Sequence, residues 1–278
     1  MKYSNPQSLV ETDWLDENLD DPNIKTLDAS YFLPGVRRDP KKEFETQHIP
    51  GAMFFDIEEI ADKNSPQSHM LPDEITFADK VSSLGINNKD KVIVYDSNSG
   101  GLAAARCWWM FRVFDHSNVA LLNGGFQKWL REKKPISKNV DKIKQSNNYK
   151  TNENANLIKN KKLIDENIKS NLFLLVDARS HERFEGKKEE PRIGLIKGKI
   201  PGSKNIPYQN CIDLKTNTFK EKSELIKIFQ KNHVDYRKAL VFSCGTGVTA
   251  CVLGLAYFLI SDKNAVIYDG SFSEWGKK

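Results

Sequence analysis

The stretch 240–249 reads LVFSCGTGVT, and an apolar run, 250–260, follows it directly. Residues 240–242 have the composition of a short buried strand, and the eleven residues 250–260 predict a core helix. Gly245 and Gly247 allow the chain to turn tightly between the two. A strand that passes through a short turn into a helix is typical of a parallel α/β sheet.

Short apolar runs of the same type recur along the chain. They are Val92–Tyr95, Val119–Leu122, Leu172–Val176 and Ala265–Tyr268. Runs that are apolar throughout, with helical segments between them, indicate strands buried on both faces. We therefore predict an α/β fold whose parallel sheets are covered by helices on both faces, with ligands bound beyond the carboxyl ends of the strands.

The chain repeats itself once, at an offset of about 150 residues. Three matches occur in the same order: 27–30 with 176–179 (LDAS and VDAR), 48–52 with 199–203 (HIPGA and KIPGS), and 123–129 with 269–275 (NGGFQKW and DGSFSEW). The stretch 133–162 is rich in Lys, Asn, Ser and Gln and places the boundary between the copies. We predict an N-terminal domain over 1–140, a linker over 141–150 and a C-terminal domain over 151–278.

Composition excludes several classes of protein. The 278 residues are 39% hydrophobic, which is too high a fraction for a disordered chain. The net charge of +5 comes from acidic and basic residues that are interleaved along the chain, which argues against a nucleic-acid partner. The run 250–260 is too short to cross a bilayer, and the acidic stretch 11–21 is unlike a targeting peptide, so we expect no membrane association and a cytoplasmic location. Four cysteines without a C-x-x-C pair predict free thiols and neither disulfides nor a zinc site.

Cys244 is the residue of the quoted stretch with the clearest chemistry. The turn places it before a helix N-terminus, whose amides and partial positive charge stabilise a thiolate, and this position favours a nucleophile. Most free cysteines are simply buried, and this is our interpretation of Cys107, Cys211 and Cys251. In the first copy Asp96 occupies the corresponding position, so the N-terminal domain is expected to lack a catalytic cysteine and to form part of the cleft.

A cysteine before a helix also occurs in tyrosine phosphatases and arsenate reductases, in which an arginine six residues later grips the oxyanion. Here that position is Ala250, and 244–249 contain no basic residue. The stretch is therefore poorly suited to a phosphate dianion, and a smaller substrate atom is indicated.

These motifs together resemble the tandem-domain rhodaneses over nearly the whole chain, and among them most closely the 3-mercaptopyruvate sulfurtransferases. In that family an inactive first domain packs on a second that carries the cysteine. The loop Cys-Gly-Ser/Thr-Gly-Val-Thr is characteristic of the mercaptopyruvate enzymes, whereas the thiosulfate enzymes usually have Arg and Lys after the cysteine. Gly245 and Thr246 occupy those two positions here.

The resemblance also implies roles for individual residues. Arg183 and Arg192 match the pair that holds the substrate carboxylate and keto group; without the resemblance they would be taken for a solvated charge run. The segment 65–72 resembles the one whose histidine pairs with the loop hydroxyl and an acid. Carried over, this predicts a catalytic set of Cys244, Thr246, His69 and Glu58, with Glu59 or Asp62 as alternatives to Glu58, and a substrate-binding set of Arg183, Arg192, Gly245, Gly247, Val248 and Thr249.

The implied reaction moves sulfur from 3-mercaptopyruvate through a persulfide on Cys244 to an acceptor, with release of pyruvate. The resemblance implies no metal and no organic cofactor, and its acceptors are small thiols, cyanide and thioredoxin-like proteins. Two alternatives remain: thiosulfate as the sulfur donor, and a sulfur-relay module that hands a persulfide between proteins without turnover of a small substrate.

Overall fold

Two five-stranded sheets with the same strand order form the framework of the protein. In the computed structural model, which describes residues 2–33, 35–98, 101–140, 145 and 148–278, the orders are β1-β5-β4-β2-β3 and β6-β10-β9-β7-β8, and all the paired strands are parallel. The first sheet consists of β1 (Leu9–Val10), β2 (Ile24–Asp28), β3 (Met53–Phe54), β4 (Lys91–Tyr95) and β5 (Val119–Leu122). The second consists of β6 (Ile158–Lys159), β7 (Leu174–Asp177), β8 (Lys204–Asn205), β9 (Leu240–Ser243) and β10 (Val266–Tyr268).

Helices connect the strands in both halves. The first half contains α1 (Thr12–Glu17), α2 (Pro40–Thr46), α3 (Ile57–Ile60), α4 (Glu74–Ser83), α5 (Leu102–Val113) and α6 (Gly125–Arg131). The second half contains α7 (Lys161–Ser170), α8 (His181–Phe184), α9 (Lys222–Lys231), α10 (Val248–Ile260) and α11 (Ser271–Trp275). Short 3₁₀ helices cover Pro6–Ser8, Ala155–Leu157 and Tyr208–Cys211.

Each sheet is buried on both faces, as the apolar strands predict. Along β4, Val92 and Val94 face a core that both halves share, while Ile93 and Tyr95 face a separate core of the first half. In the second half, Val241 of β9 lies in a third core that belongs to that half alone. The predicted α/β class, with helices on both faces of parallel sheets, is confirmed.

The two halves meet through α5 and α10, which pack against each other in the shared core. The indole of Trp109 on α5 donates a hydrogen bond to the carbonyl of Ala265 in the second half at 3.2 Å. Cys107 on α5 is fully buried in this core, as is Cys211. The active-site cysteine predicted for the second half therefore lies at the start of a helix that is itself part of the interface.

Two predicted boundaries were wrong by two residues. Strand β7 begins at Leu174 and not at Leu172, because α7 ends in a left-handed residue, Asn171, and Leu172 is 81% exposed in the connection that follows. Helix α10 begins at Val248 and not at Ala250, because Gly247 is its N-cap. Most of the predicted linker, 141–150, lies outside the described residues. Among the helices that the structure describes, none is long and apolar enough to cross a bilayer.

Candidate active site

Cys244 begins the turn that joins β9 to α10. Its side chain is almost fully buried, at 2% exposure, and its backbone is tied to the start of α11: the Cys244 amide donates to Ser271 Oγ at 3.1 Å, and the Cys244 carbonyl accepts from the Phe272 amide at 3.0 Å. The Gly245 carbonyl accepts from the Ser273 amide at 2.8 Å. The turn is therefore held in one shape before any ligand binds.

The two glycines of the turn have different reasons to be glycine. Gly247 has a φ of 77°, in the left-handed region, and a Cβ there would lie 2.8 Å from the carbonyl oxygen of Asp269. Gly245 has no such strain, but a Cβ there would lie 3.1 Å from Nη2 of Arg183. The close approach at Gly245 shows that the Arg183 guanidinium lies directly against the cysteine turn.

Helix α10 supplies the electrostatic environment of the turn. It is thirteen residues long, and Val248 and Thr249 are its first two residues, so their amides belong to the first turn, where backbone N–H groups lack partners within the helix. The dipole of a helix of this length places a partial positive charge at that end. An anion formed on the Cys244 sulfur is stabilised in this position.

His69 reaches the same turn from the first half of the chain. Its Nδ1 lies 3.1 Å from Oγ1 of Thr246, and the Tyr31 ring packs edge-on against the imidazole, with 4.9 Å between ring centroids. Its Nε2 lies 3.6 Å from Oε1 of Glu58, which is too long for a hydrogen bond. The structure thus brings together the histidine, hydroxyl and acid that the resemblance named.

The two alternative acids point elsewhere. Glu59 forms an ion pair with Lys80 at 2.6 Å, and Asp62 accepts a hydrogen bond from the Asn64 amide at 2.8 Å. Of the three acids considered, Glu58 is the one whose carboxylate contacts His69. Its side chain is 64% exposed.

The imidazole of His69 is neutral at physiological pH. Burial, together with the positive charges of Arg106 and Arg192, lowers its pKa to about 3. The contact with Glu58 is therefore not an ion pair. A neutral imidazole can donate a proton at one ring nitrogen and accept at the other, which suits a group that relays a proton to or from Thr246.

Arg183 is oriented by a buried acid. Its Nε and Nη2 donate to the two carboxylate oxygens of Glu190 at 3.2 and 2.5 Å, and the Arg183 side chain is 21% exposed. Arg192 faces the Tyr31 hydroxyl and lies near enough to His69 to lower its pKa. The two arginines therefore face the same site, Arg183 against the cysteine turn and Arg192 on the side of His69.

A buried arginine, Arg179, supports this arrangement and was missed from the sequence. It contacts both carboxylate oxygens of Asp177, at the end of β7, and its Nη1 donates to Glu190 at 2.7 Å. Glu190 is thus shared between Arg179 and Arg183. A signal was present in the repeat, since Arg179 stands where the first copy has Ser30.

Asp96 occupies in the first half the place that Cys244 has in the second. The Phe126 amide donates to the Asp96 carbonyl at 3.0 Å, as the Phe272 amide does to Cys244. The Asp96 carboxylate accepts hydrogen bonds from the Ala103 and Ala104 amides, at the start of α5, at 2.8 and 3.0 Å. In the first half the Asp96 side chain therefore occupies the space before the helix N-terminus, where an anion would otherwise bind.

Asp96→Asn is expected to change how stability depends on pH. Burial raises the pKa of Asp96 to about 7, well above its value in an unfolded chain, so the folded state loses stability as pH rises towards 7 and regains none above it. The free energy of unfolding of the variant minus that of the wild type should therefore increase by roughly 2 to 3 kcal/mol from pH 5 to pH 8. Urea unfolding of both proteins across that range measures the difference, and a difference independent of pH would contradict the prediction.

Comparison with known proteins places the chain in a family. The profile of the Rhodanese-like domain matches residues 11–132 and again residues 159–278, so the protein belongs to the rhodanese-like family and contains two such domains. Mouse 3-mercaptopyruvate sulfurtransferase is 43% identical over 97% of this chain and 92% of its own length. Thiosulfate sulfurtransferase of Cricetulus griseus is 44% identical with the same coverage of both chains.

A solved structure supports the same assignment. SseA from Escherichia coli, a 3-mercaptopyruvate sulfurtransferase, superimposes with a TM-score of 0.86 at 35% identity and covers 95% of this chain and 98% of its own. The predicted resemblance to the tandem-domain rhodaneses is confirmed. Overall identity does not separate the two named activities, because relatives that carry either name match about equally well.

Proposed function

We propose that this chain is a sulfurtransferase that takes sulfur from 3-mercaptopyruvate onto Cys244 as a persulfide, releases pyruvate, and passes the sulfur to a thiol or to cyanide. The observation that carries the proposal is a cysteine turn without charged side chains, 244–247, that has Arg183 against it and Arg192 beside His69. An uncharged turn suits a neutral thiol as the sulfur donor. The arginines suit the carboxylate and keto oxygens at the other end of the same molecule.

The first step forms a sulfur–sulfur bond and breaks a carbon–sulfur bond. The Cys244 thiolate attacks the thiol sulfur of 3-mercaptopyruvate, and the electron pair of the broken bond passes to the three-carbon product as the enolate of pyruvate, which then takes up a proton. The persulfide remains on Cys244. The amides of the turn and of the start of α10, from Gly245 and Gly247 to Val248 and Thr249, stabilise the charge on sulfur.

Arg183 and Arg192 hold the substrate in this step. Because Glu190 already fixes the guanidinium of Arg183 through two hydrogen bonds, little side-chain entropy is lost when a carboxylate binds to its free side. Thr246 and His69 supply or remove the proton at the reacting groups, with Glu58 orienting His69 at longer range. In the second step an acceptor thiolate attacks the outer sulfur and regenerates the Cys244 thiolate.

Thiosulfate is the second candidate donor and a candidate secondary activity, because the thiosulfate sulfurtransferase of Cricetulus griseus is as similar to this chain as the mouse mercaptopyruvate enzyme is. Thiosulfate carries two negative charges and would gain from cations directly beside the cysteine. No residue of 244–249 carries one, and the two guanidinium groups that lie against the turn, those of Arg183 and Arg106, are already paired with Glu190 and Asp269. We therefore rank thiosulfate below 3-mercaptopyruvate.

The remaining assignments are part of the same proposal. We assign the domains to 1–140 and 151–278, the acceptor to a small thiol, cyanide or a thioredoxin-like protein, and the location to the cytoplasm. The four free cysteines of the chain agree with a reducing compartment. Fractionation of cells that express a C-terminally tagged chain tests the location.

The proposed function is tested by steady-state assays with both donors in parallel, with cyanide and a dithiol as acceptors. We expect kcat/KM for 3-mercaptopyruvate to exceed that for thiosulfate by on the order of 100-fold or more, with one pyruvate released per sulfur transferred. Equal or better use of thiosulfate would contradict the donor assignment. Turnover of neither donor, with a persulfide detectable on Cys244, would instead support the sulfur-relay alternative.

A further inference from the structure

Arg106 is a fully buried cation that the first domain contributes to the site of the second. It lies on α5, an otherwise largely apolar helix at the domain interface, and its side chain is 1% exposed. Its Nη1 forms an ion pair with Oδ1 of Asp269 at 2.7 Å, and its guanidinium stacks over the Trp109 ring at 4.6 Å. Asp269 follows β10 and belongs to the second domain. Burial of two charges has a large desolvation cost, so we ask which other groups this ion pair contacts.

The pair holds both ends of the short turn that carries His69. Arg106 Nη2 donates to the carbonyl oxygen of His69 at 2.5 Å, and the second carboxylate oxygen of Asp269 accepts from the Leu71 amide at 2.8 Å. One partner of the ion pair thus binds the start of the turn 69–71, and the other binds its end.

The turn needs such support because of its backbone conformation. His69 has a φ of 64°, in the left-handed region, which is unfavourable for a residue with a Cβ. The direction of the imidazole from this backbone determines whether Nδ1 reaches Thr246 at 3.1 Å. A relaxed backbone at His69 would move the ring away from the hydroxyl.

The same guanidinium also lies under the cysteine turn. Arg106 Nη1 is 3.1 Å from the point where a Cβ on Gly247 would stand, and Arg106 faces the thiol of Cys251 on α10. Arg106 therefore binds the backbone of His69 and also lies against Gly247, the residue that follows Thr246.

We propose that Arg106 is a positioning residue for sulfur transfer, which with Asp269 holds the turn 69–71 so that His69 meets Thr246. This inference rests on the proposed function at one point, the role of His69 and Thr246 in proton transfer during turnover. It also gives the first domain a specific task at the site, since Arg106 acts from α5 without touching the substrate.

The first test observes the imidazole of His69 directly and needs no activity. The charged and titratable groups that face this ring are Glu58, Tyr31, Arg106 and Arg192. In protein with ¹⁵N-labelled histidine, assigned with His69→Ala, the wild-type ring should stay neutral from pH 8 to pH 5, because its pKa is about 3. Arg106→Lys keeps the positive charge but not the two-point contact, so the ring should become more exposed and its pKa should rise towards its ordinary value of about 6.5.

The second test is a double-mutant cycle in kcat with 3-mercaptopyruvate. Arg106→Lys should lower kcat by about tenfold and leave KM within about twofold, because displacement of a relay group slows turnover while the substrate-binding arginines are intact. In a His69→Ala background the same substitution should have no further effect, because the two residues act through one contact.

Arg112→Lys is the matched control. Arg112 lies on the same helix and also reaches the second domain, at Asn264 and at the Phe258 ring, and its contacts within the described part of the chain do not include the turn 69–71. It should leave both the His69 titration and kcat unchanged. If Arg106→Lys fails to fold, Arg106→Met with Asp269→Asn removes the pair without leaving a buried charge unpaired. Because loss of the Arg106 charge by itself raises the pKa of His69, the readout for this variant is the loss of kcat and its absence in the His69→Ala background.

The outcomes are distinct. An unchanged His69 titration in a folded Arg106 variant, or an equal loss of kcat with and without His69, would overturn the proposal. A wild-type protein that does not turn over 3-mercaptopyruvate would contradict the proposed function, while the titration would still decide whether Arg106 positions His69.

Discussion

Cys244→Ser is expected to abolish sulfur transfer with either donor, with a loss on the order of 10³-fold or more in kcat. A serine hydroxyl can neither attack a thiol sulfur at neutral pH nor carry the transferred sulfur. The fold should be unaffected, because the backbone contacts of residue 244 with Ser271 and Phe272 do not involve the sulfur. Steady-state pyruvate release measures the loss, and mass spectrometry of the intact protein after donor treatment shows whether one sulfur is retained.

Cys251→Ala is the control for this variant. Cys251 is the next cysteine along the chain, is fully buried on α10, and has its thiol directed at the Gly247 carbonyl at 3.1 Å. Burial raises its pKa to about 12, so it has no thiolate to offer at neutral pH. The variant should keep the persulfide and most of the activity. Retained transfer in Cys244→Ser, or its loss in Cys251→Ala alone, would move the nucleophile away from Cys244.

The fold could be predicted from the sequence because its determinants are local and are repeated. Apolar runs such as 92–95 and 240–242 mark strands buried on both faces, and both became strands within a residue of the expected bounds. Leu172 was assigned to a strand wrongly because an apolar residue in a connection looks the same as one in a strand. The end of a helix at Asn171 is set by backbone conformation and by contacts, which composition alone does not report.

The candidate site was predictable only in part, for a physical reason. The turn 244–247 was predictable because its backbone conformation depends on glycines that are close to Cys244 in the sequence. The partners of Arg106 lie far away in the chain, at His69 and Asp269, and nothing in the composition of α5 tells which carbonyl or carboxylate a buried arginine will meet. Glu190 was likewise hidden within an apparent surface charge run.

Glu190 also changes what removal of Arg183 should do. In Arg183→Ala, Glu190 keeps its hydrogen bond to Arg179 at 2.7 Å, so no buried carboxylate is left without a cation and the fold should be retained. The loss should therefore fall on substrate binding. One charge-assisted contact contributes about 1.5 to 3 kcal/mol, so kcat/KM for 3-mercaptopyruvate should fall roughly 10- to 150-fold, mainly through KM.

Lys187→Ala separates this effect from a general loss of positive charge. Lys187 lies in the same segment, is exposed, and should change kcat/KM by less than about twofold, because solvent screens a charge at that position. Arg183→Lys should recover only part of the activity, because an ammonium cannot form the two-pronged contact with both a carboxylate and Glu190. Equal effects of Arg183→Ala and Lys187→Ala would assign the segment to solvated surface.

Pyruvate provides a second readout of the Arg183 contact that does not depend on sulfur chemistry. It presents the same carboxylate and keto oxygens as 3-mercaptopyruvate but has no sulfur, so it should inhibit competitively with the donor through the two arginines alone. The inhibition constant should then weaken in Arg183→Ala by the same factor as KM rises. If KM rises while pyruvate inhibition is unchanged, Arg183 acts on the cysteine turn, which it contacts at Gly245, and not on the carboxylate.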